Sequence, residues 1–190
     1  MTLQEIQETL KILDSLDIEE CLGLMQERIQ PKQTDMEIEL LQSCGMVTSE
    51  NIYARMSVPP FPKSAMDGYA VCAEDIEEAS HDTPVILKVQ GEILAGDYKE
   101  FPYHKNTAVR VMTGAMIPQG YDAVVRQEDT DYGEEQVQIY ASVRPYMNYC
   151  KAGEDIRKGQ LLAAKDTRIE PVHIGLLASV GIDKVRVYEP

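Results

Sequence analysis

Four short runs rich in β-branched residues occupy the middle of this chain, and they constrain its fold more than any other feature. Glycine, proline and aspartate residues separate the runs, which is the pattern of short strands joined by turns. The runs are Val85–Val89, Ala108–Met112, Tyr121–Val125 and Val137–Tyr140. The sequence therefore predicts a small β unit in this region.

Two glycine-containing segments are predicted to connect these strands. Tyr132-Gly133-Glu134 matches a hairpin turn that joins the last two runs. The region of Gly91 and Gly96 matches a loop between earlier runs.

Helical periodicity precedes the β unit. Apolar residues recur at three- and four-residue spacing in two stretches, the second of which restarts at Asp17 and stops at Pro31. The apolar positions are Leu3, Ile6, Leu10 and Leu13, followed by Ile18, Leu22, Met25 and Ile29. We interpret these stripes as core or as partner-helix surface rather than as a cofactor site.

A third helix is predicted to follow. Thr34 stands three residues before Glu37, which is the spacing of a capping box at a helix N-terminus. The pattern continues through Leu40 and Cys44 and ends at Gly45, a common residue at helix C-termini.

Helical character returns after the β unit. Pro171 suits the first turn of a helix that runs to about Ser179, before Gly181. The closing run Val185–Tyr188 reads as a strand.

The order of helix, β unit and helix indicates an insertion. We predict an α+β fold with a discontinuous, mainly helical domain made of residues 1–57 and 148–190. A small β-rich, β-barrel-like subdomain, residues 58–147, is predicted to be inserted between its two halves.

The charge of the chain excludes two classes of partner. Eighteen basic and 32 acidic residues give a net charge of −14, which repels phosphate backbones and anionic lipid surfaces. The apolar runs are too short to span a bilayer, and the acidic N-terminus lacks the basic start of a secretion signal. We expect a soluble, cytoplasmic protein that binds neither nucleic acid nor membrane.

Cysteine and histidine do not form a recognisable metal site. The four cysteines are widely scattered without a C-x-x-C pair, so we expect buried free thiols. They are Cys21, Cys44, Cys72 and Cys150. The three histidines lack the spacing of a metal triad. Any divalent ion is therefore expected to bind to oxygen.

Three loops combine acids or hydroxyls with glycine. They are Ser64–Tyr69, Arg110–Ala115 and Gly153–Arg157. Asp67 follows two prolines that fix the backbone, and Thr113-Gly114 follows a predicted strand. Each loop also has an ordinary explanation as a turn, a strand end or a solvated bend, and turn chemistry alone leaves both explanations open.

The chemistry of these loops suits cleavage of a phosphoanhydride. Asp67 and Asp155 supply carboxylates able to coordinate Mg²⁺, and Thr113 supplies a hydroxyl. A metal ion neutralises charge on phosphate oxygens while the acids orient the ion or a water molecule. The candidate catalytic residues are therefore Asp67, Thr113 and Asp155. The candidate substrate contacts are Ser64, Met66, Gly68, Gly114, Ala115 and Glu154.

The order of these segments resembles the N-terminal region of molybdopterin molybdenumtransferases, the metal-insertion enzymes of molybdenum-cofactor biosynthesis, which are related to the C-terminal domain of gephyrin. The resemblance runs from about Ile18 to the end of the chain. Its most specific part is Pro59-Pro60-Phe61 followed by Ser64-Ala65-Met66-Asp67-Gly68-Tyr69-Ala70-Val71. Further matches are Gly91–Gly96, Ala108–Ala115 with Pro118, Asp122–Val125 with Gln127-Glu128, and Gly153-Glu154-Asp155.

The resemblance implies an enzyme that inserts molybdate into adenylylated molybdopterin, uses a divalent cation such as Mg²⁺, and releases molybdenum cofactor and AMP. Positions matching Asp67, Thr113 and Asp155 belong to the family's active-site cleft. Asp67 and Asp155 would position metal or water, and Thr113 would donate a hydrogen bond to substrate oxygens. Members of the family are elongated homodimers, so the helical stripes are expected to serve dimerisation.

The sequence departs from the family pattern at several positions. Pro62-Lys63 replaces a more usual acidic or amide pair, and Cys150 stands where arginine is common. Pro190 falls about where the family's molybdopterin-binding α/β domain would begin, so we expect residues 1–190 alone to be inactive. The alternative is a non-catalytic dimerisation or binding module of the same fold. A plain magnesium-dependent phosphohydrolase is disfavoured because no third clustered acid or base appears.

Overall fold

The structure is a computed structural model that describes residues 17–29 and 34–189. The first predicted apolar stripe, which begins at Leu3, lies outside the described residues, as does the stop at Pro31.

Helix α1 spans Ile18–Arg28 and confirms the predicted restart at Asp17. The Asp17 carboxylate caps the helix by accepting a hydrogen bond of 2.8 Å from the backbone N–H of Glu20. No residue of this helix is buried. Its predicted apolar stripe is therefore exposed, and it consists of Ile18, Leu22, Met25 and the adjoining Ile29.

A five-stranded sheet forms the centre of the described chain. Its strands are β4 (Gly68–Val71), β5 (Val85–Ile93), β6 (Thr107–Val111), β7 (Ala123–Arg126) and β8 (Gln136–Ile139). Their order is β7-β4-β6-β5-β8, with only β5 and β6 parallel. The four predicted strands are confirmed, whereas β4 was not predicted because its residues were assigned to the Asp67 loop.

Two predicted connections are only partly correct. β7 and β8 lie at opposite edges of the sheet and do not pair with each other. The segment that follows β7 nevertheless pairs antiparallel with β8 across the turn at Tyr132–Glu134, through a bridge between Thr130 and Ile139. Gly91 lies inside β5 at a shift in strand register, whereas Gly96 lies in the turn after β5, as predicted. A bulge of this kind bends the strand without ending it.

The two faces of the sheet bury different groups of side chains, as the alternation of a strand requires. Tyr69 and Val71 point to one face with Ala108 and Val125. The residues between them point to the other face, where Ala70, Val109, Val111 and Val124 pack with Ile93. A central strand such as β4 is therefore buried on both sides.

The predicted third helix is wrong. Residues Asp35–Glu39 form strand β1, which pairs antiparallel with β11 (Lys184–Tyr188). Only a short 3₁₀ turn follows, at Leu40–Gln42. Met36 and Ile38 alternate with exposed acidic residues and pack against buried side chains, so the period is two. Pairing with a distant segment overrode the local capping pattern.

Helix α2 spans Pro171–Ser179, as predicted. Proline occupies its first turn, and the N-cap residue Glu170 and His173 exchange side-chain-to-backbone hydrogen bonds. Leu177 is fully buried in a core shared with β1, β11 and the pair formed by β2 (Ile52–Tyr53) and β10 (Leu161–Ala163).

The buried side chains fall into groups that differ in their origin along the chain. One group comes from residues 40–54 and 156–187, and the other two come from residues 69–139. This grouping supports the proposed division into a discontinuous domain and an insertion. The boundaries, the mainly helical character of residues 1–57 and 148–190, and the barrel-like closure of residues 58–147 stay predictions.

The cysteines are free thiols, but the prediction that they are buried is wrong. Cys44 is exposed, and the other three are half-buried. Within residues 17–29 and 34–189, no helix has the length and apolar character needed to cross a membrane.

Candidate active site

A short strand next to the Asp67 loop joins two distant parts of the chain. Strand β3 (Lys63–Ser64) pairs antiparallel with β9 (Tyr149–Cys150). On its other side, Lys63 forms an isolated bridge with Met116. The chain that enters the Asp67 loop is therefore fixed between residues 148–150 and residues 114–117.

Ser64 is committed to the structure of the loop. Its backbone N–H donates to the carbonyl of Ala115 at 2.9 Å, and its carbonyl accepts from the N–H of Gly114 at 2.8 Å. Its hydroxyl donates to the carbonyl of Met66 and accepts from the N–H of that residue. Ser64 is buried, so its hydrogen bonds hold the Asp67 loop against the Thr113 loop.

Asp67 and Thr113, which were predicted to share a site, are in direct contact. Oδ1 of Asp67 accepts hydrogen bonds of 2.7 Å from both the hydroxyl and the backbone N–H of Thr113. These two donors lower the pKa of the Asp67 carboxyl below its ordinary value, and the positive charge of Arg110 acts in the same direction. Asp67 is therefore held as a carboxylate in a fixed position.

The small residues of the site let backbone segments approach closely. A Cβ atom on Gly68 would overlap the carbonyl oxygen of Val125 on the neighbouring strand. Gly114 has a φ of +84°, which favours glycine. Ala115 is buried, whereas Met66 is 43% exposed and is the side chain of this group that faces solvent.

Asp155 lies on a second loop that contacts the same chain segment further upstream. Its backbone N–H donates to the carbonyl of Val58 at 3.0 Å, and the N–H of Gly153 donates to the carbonyl of Pro59 at 2.9 Å. Glu154 is used locally, because its carboxylate accepts from the N–H of Lys151 at 2.8 Å.

Asp67 and Asp155 are not bonded to each other. Both residues are attached to the segment 58–67, but no hydrogen bond or ion pair joins their side chains in the described structure. The Asp155 side chain is exposed and has no hydrogen-bond partner among the described residues. The structure therefore unites Asp67, Thr113, Ser64, Gly68, Gly114 and Ala115, and it places Asp155 and Glu154 on an adjacent loop.

The oxygen donors present suit a metal that is shared with substrate. Across residues 17–29 and 34–189, no group of three or more His, Cys, Asp or Glu side chains is arranged to hold a metal ion. Mg²⁺ does not need such a group, because it commonly binds one or two carboxylates together with substrate phosphates and water. Oδ2 of Asp67 accepts no hydrogen bond from a described residue, so this carboxylate fits that donor set.

Sequence reasoning missed one charged pair beside this site. Nε of Arg110 lies 3.5 Å from Oε1 of Glu92 on the neighbouring strand. A charged residue inside the β-branched run Ala108–Met112 was the available signal, but identifying its partner required the pairing of β5 with β6.

The family model described as the MoeA N-terminal region, domains I and II, matches residues 15–181. The chain belongs to this family. The curated relatives in the comparison include molybdopterin molybdenumtransferases from Haemophilus influenzae, 36% identical over 159 residues, and from Bacillus subtilis, 40% identical over 161 residues. These alignments cover 83% and 82% of the chain. The resemblance inferred from the ordered motifs is therefore confirmed.

A solved structure supports this membership of the MoeA N-terminal family. The molybdopterin biosynthesis MoeA protein from Pyrococcus horikoshii superposes with a TM-score of 0.82 at 37% identity. The superposition covers 91% of this chain and 44% of that one. The chain likewise spans 38% and 37% of the Haemophilus and Bacillus relatives, so it corresponds to well under half of each of these proteins.

Proposed function

We propose that the chain is the N-terminal part of a molybdopterin molybdenumtransferase, which inserts molybdate into adenylylated molybdopterin and releases AMP and molybdenum cofactor. The observation that carries the proposal is the contact between Asp67 and Thr113, in which two donors fix one carboxylate oxygen at 2.7 Å. The names of the curated relatives support transfer of molybdenum to molybdopterin, and this contact is where we propose that the phosphoanhydride is bound and cleaved.

Asp67 and Asp155 are proposed to hold Mg²⁺ or to orient a water molecule. Bound Mg²⁺ would neutralise charge on the phosphate oxygens. The protein's contribution is to keep the Asp67 carboxylate ionised and in one orientation through Thr113. Thr113 is also proposed to bind oxygens of the substrate or intermediate, which requires its hydroxyl to exchange its Asp67 contact for a substrate contact during the reaction.

The remaining site residues are proposed to contact substrate in two ways. Ser64, Gly68, Gly114 and Ala115 shape the backbone that faces it, because their side chains are small or already hydrogen-bonded. Met66 is proposed to contact it through an exposed side chain, and Glu154 through an exposed carboxylate that also accepts from the N–H of Lys151.

We further propose a cytoplasmic homodimer that binds neither nucleic acid nor membrane. The net charge of −14 opposes anionic partners, and the exposed apolar stripe on α1 offers a surface for a second copy of the chain. Leu22→Glu, at a position 52% exposed, is expected to lower the dimer fraction in sedimentation velocity. Glu20→Gln is the control, and an unchanged dimer fraction in Leu22→Glu removes α1 from the interface.

The test of the enzymatic role uses the full-length protein that contains this chain. Asp67→Asn and Asp155→Asn are each expected to lower formation of molybdenum cofactor from adenylylated molybdopterin and molybdate by about a hundredfold or more. Asp82→Asn, at an exposed turn, is the matched control and should keep wild-type turnover. Wild-type turnover in Asp67→Asn would contradict the role of that residue.

Residues 1–190 by themselves are proposed to be inactive, because the curated relatives are more than twice as long. AMP release by these purified residues would overturn that statement. Absence of AMP release by the wild-type full-length protein would instead favour the alternative, a non-catalytic dimerisation or binding module.

A further inference from the structure

Arg110 occupies the centre of a row of side chains that crosses the sheet. In the strand register it lies opposite Tyr69 of β4 and opposite Glu92 of β5. Its position on β6 places it on the same face as Ala108, and that face also buries Tyr69. Arg110 is therefore a charged residue on a sheet face whose other buried side chains are mainly apolar.

The same register brings Arg110 close to Asp67. Asp67 comes directly before Gly68, which pairs with Val111, and Val111 is the chain neighbour of Arg110. Asp67 and Arg110 therefore lie at the same end of the β4–β6 pair, where the hydrogen bonds of Thr113 hold the Asp67 carboxylate. The lowering of the Asp67 pKa by the charge of Arg110, after the larger effect of the Thr113 hydrogen bonds, agrees with this placement.

The guanidinium of Arg110 is only loosely engaged by the protein. Its contact with Glu92 is a single approach of 3.5 Å, and its side chain is 28% exposed. No described residue accepts a hydrogen bond from it within standard geometry. A planar group with five N–H donors in a partly buried position therefore keeps most of its donors free.

Arg126 provides the contrast on the other side of β4. Arg126 pairs with Gly68, whereas Arg110 pairs with the next residue, Tyr69. Because side chains alternate along a strand, the Arg126 side chain points to the face opposite that of Arg110. Its Nε and Nη2 atoms donate to the two carboxylate oxygens of Asp129 at 3.0 and 3.2 Å. Its donors are committed to a bidentate ion pair, whereas those of Arg110 are not.

The charge of the site makes a free guanidinium significant. The acids near it, Asp67 and Glu92, and the net charge of −14 all repel an anionic substrate. Arginine is suited to bind tetrahedral oxyanions because its fork of donors matches two oxygens at once.

We propose that Arg110 binds an oxyanion group of the substrate beside Asp67, and that Glu92 is a positioning residue that orients the guanidinium. This inference rests on the proposed function, since it assigns a further substrate contact in the same site. The phosphoanhydride of adenylylated molybdopterin and molybdate share the required chemistry, and separate measurements with the two substrates distinguish them.

The test compares Arg110→Gln with Arg126→Gln in the full-length protein by steady-state kinetics. Arg110→Gln is expected to raise KM tenfold or more for one substrate, adenylylated molybdopterin if the phosphoanhydride is bound and molybdate if the metal oxyanion is bound. Arg126→Gln is expected to leave both KM values within twofold. Equal KM values in Arg110→Gln and the wild type for both substrates overturn the proposal.

Two further variants separate binding from folding. Arg110→Lys keeps the charge without the fork and should recover part of the affinity, and Glu92→Gln should raise the same KM about threefold while kcat is kept. If Arg110→Gln does not fold, Arg110→Lys decides, and a KM equal to that of the wild type overturns the proposal. Asp67→Asn in the same assay tests the proposed function separately. Loss of turnover in this variant supports the role of Asp67, and wild-type turnover contradicts it, whatever the KM values of the Arg110 variants.

Discussion

Thr113 donates two hydrogen bonds to a single carboxylate oxygen of Asp67, one from its hydroxyl and one from its backbone N–H. Each donor stabilises the ionised carboxyl, and the hydroxyl makes the larger contribution to the lowered pKa. The two residues are 46 positions apart in the chain, so the contact is a product of the fold rather than of the local sequence.

Thr113→Val is expected to raise the pKa of Asp67, because valine keeps the shape and the backbone N–H but removes the hydroxyl donor. Carboxyl ¹³C NMR titration of the full-length protein without added metal measures this pKa directly. Thr113→Ser retains the donor and should keep the pKa near that of the wild type. An equal pKa in Thr113→Val and Thr113→Ser would show that the hydroxyl does not stabilise the carboxylate.

The same pair links stability to pH. Since the folded-state pKa of Asp67 is lowered, its interaction stabilises the fold above the unfolded-state pKa and is lost as the pH falls through the folded-state pKa. The free energy of unfolding of Thr113→Val should therefore fall below that of Thr113→Ser at neutral pH and approach it in acid. Urea unfolding at several pH values measures the difference, and a gap that widens in acid would contradict this prediction.

Gly68→Ala is expected to destabilise the protein by about 3 kcal/mol, because the added methyl group overlaps the carbonyl oxygen of Val125 and forces β4 and β7 apart. Gly175→Ala is the matched control. It lies in helix α2, where a Cβ atom meets nothing within 4 Å, so it should stabilise by about 0.5–1 kcal/mol. Urea unfolding compares the two variants, and equal effects would refute the steric explanation.

Leu177→Ala tests the proposed division into two units. Removal of this fully buried side chain should cost about 2–5 kcal/mol. If the units open separately, amide hydrogen exchange will accelerate at Val185 and Val187 but not at Val109. Leu87→Ala, in the sheet, should give the opposite pattern. Uniform acceleration in both variants would indicate a single cooperative unit.

Much of the fold could be predicted because several elements carry their own local signals. Helix α2 combines proline in the first turn with an apolar run, and its bounds agree with those expected. The β-branched runs gave four strands of the sheet. Their order could not be predicted, because pairing across β7-β4-β6-β5-β8 depends on contacts between distant residues.

The segment after Thr34 shows why local signals can mislead. Its capping-box spacing favoured a helix, yet Met36, Ile38 and Leu40 also fit a strand with a period of two. The choice depended on β11, which lies about 150 residues later and supplies the backbone partners. A single-sequence pattern does not contain that information.

The candidate site was predicted only in part, because the sequence shows residue types but not the pairing of distant segments. Asp67 and Thr113 were identified from their residue types next to glycines, and their contact is now seen. The commitment of Ser64 to Met66, and the pairing of Arg110 with Glu92, depend on side-chain geometry and strand register. Residue type indicates which chemistry is available, whereas the sheet decides which donors remain free.

The double pairing of Lys63, to Cys150 on one side and Met116 on the other, has a consequence for synthesis of the protein. A growing chain that has released only the Asp67 loop from the ribosome contains neither neighbour of β3. The loop can reach its final form only after about residue 156 has emerged, when Val58 also gains its partners. The contacts that fix the Asp67 loop therefore cannot all form before the ribosome has synthesised the chain through this interval.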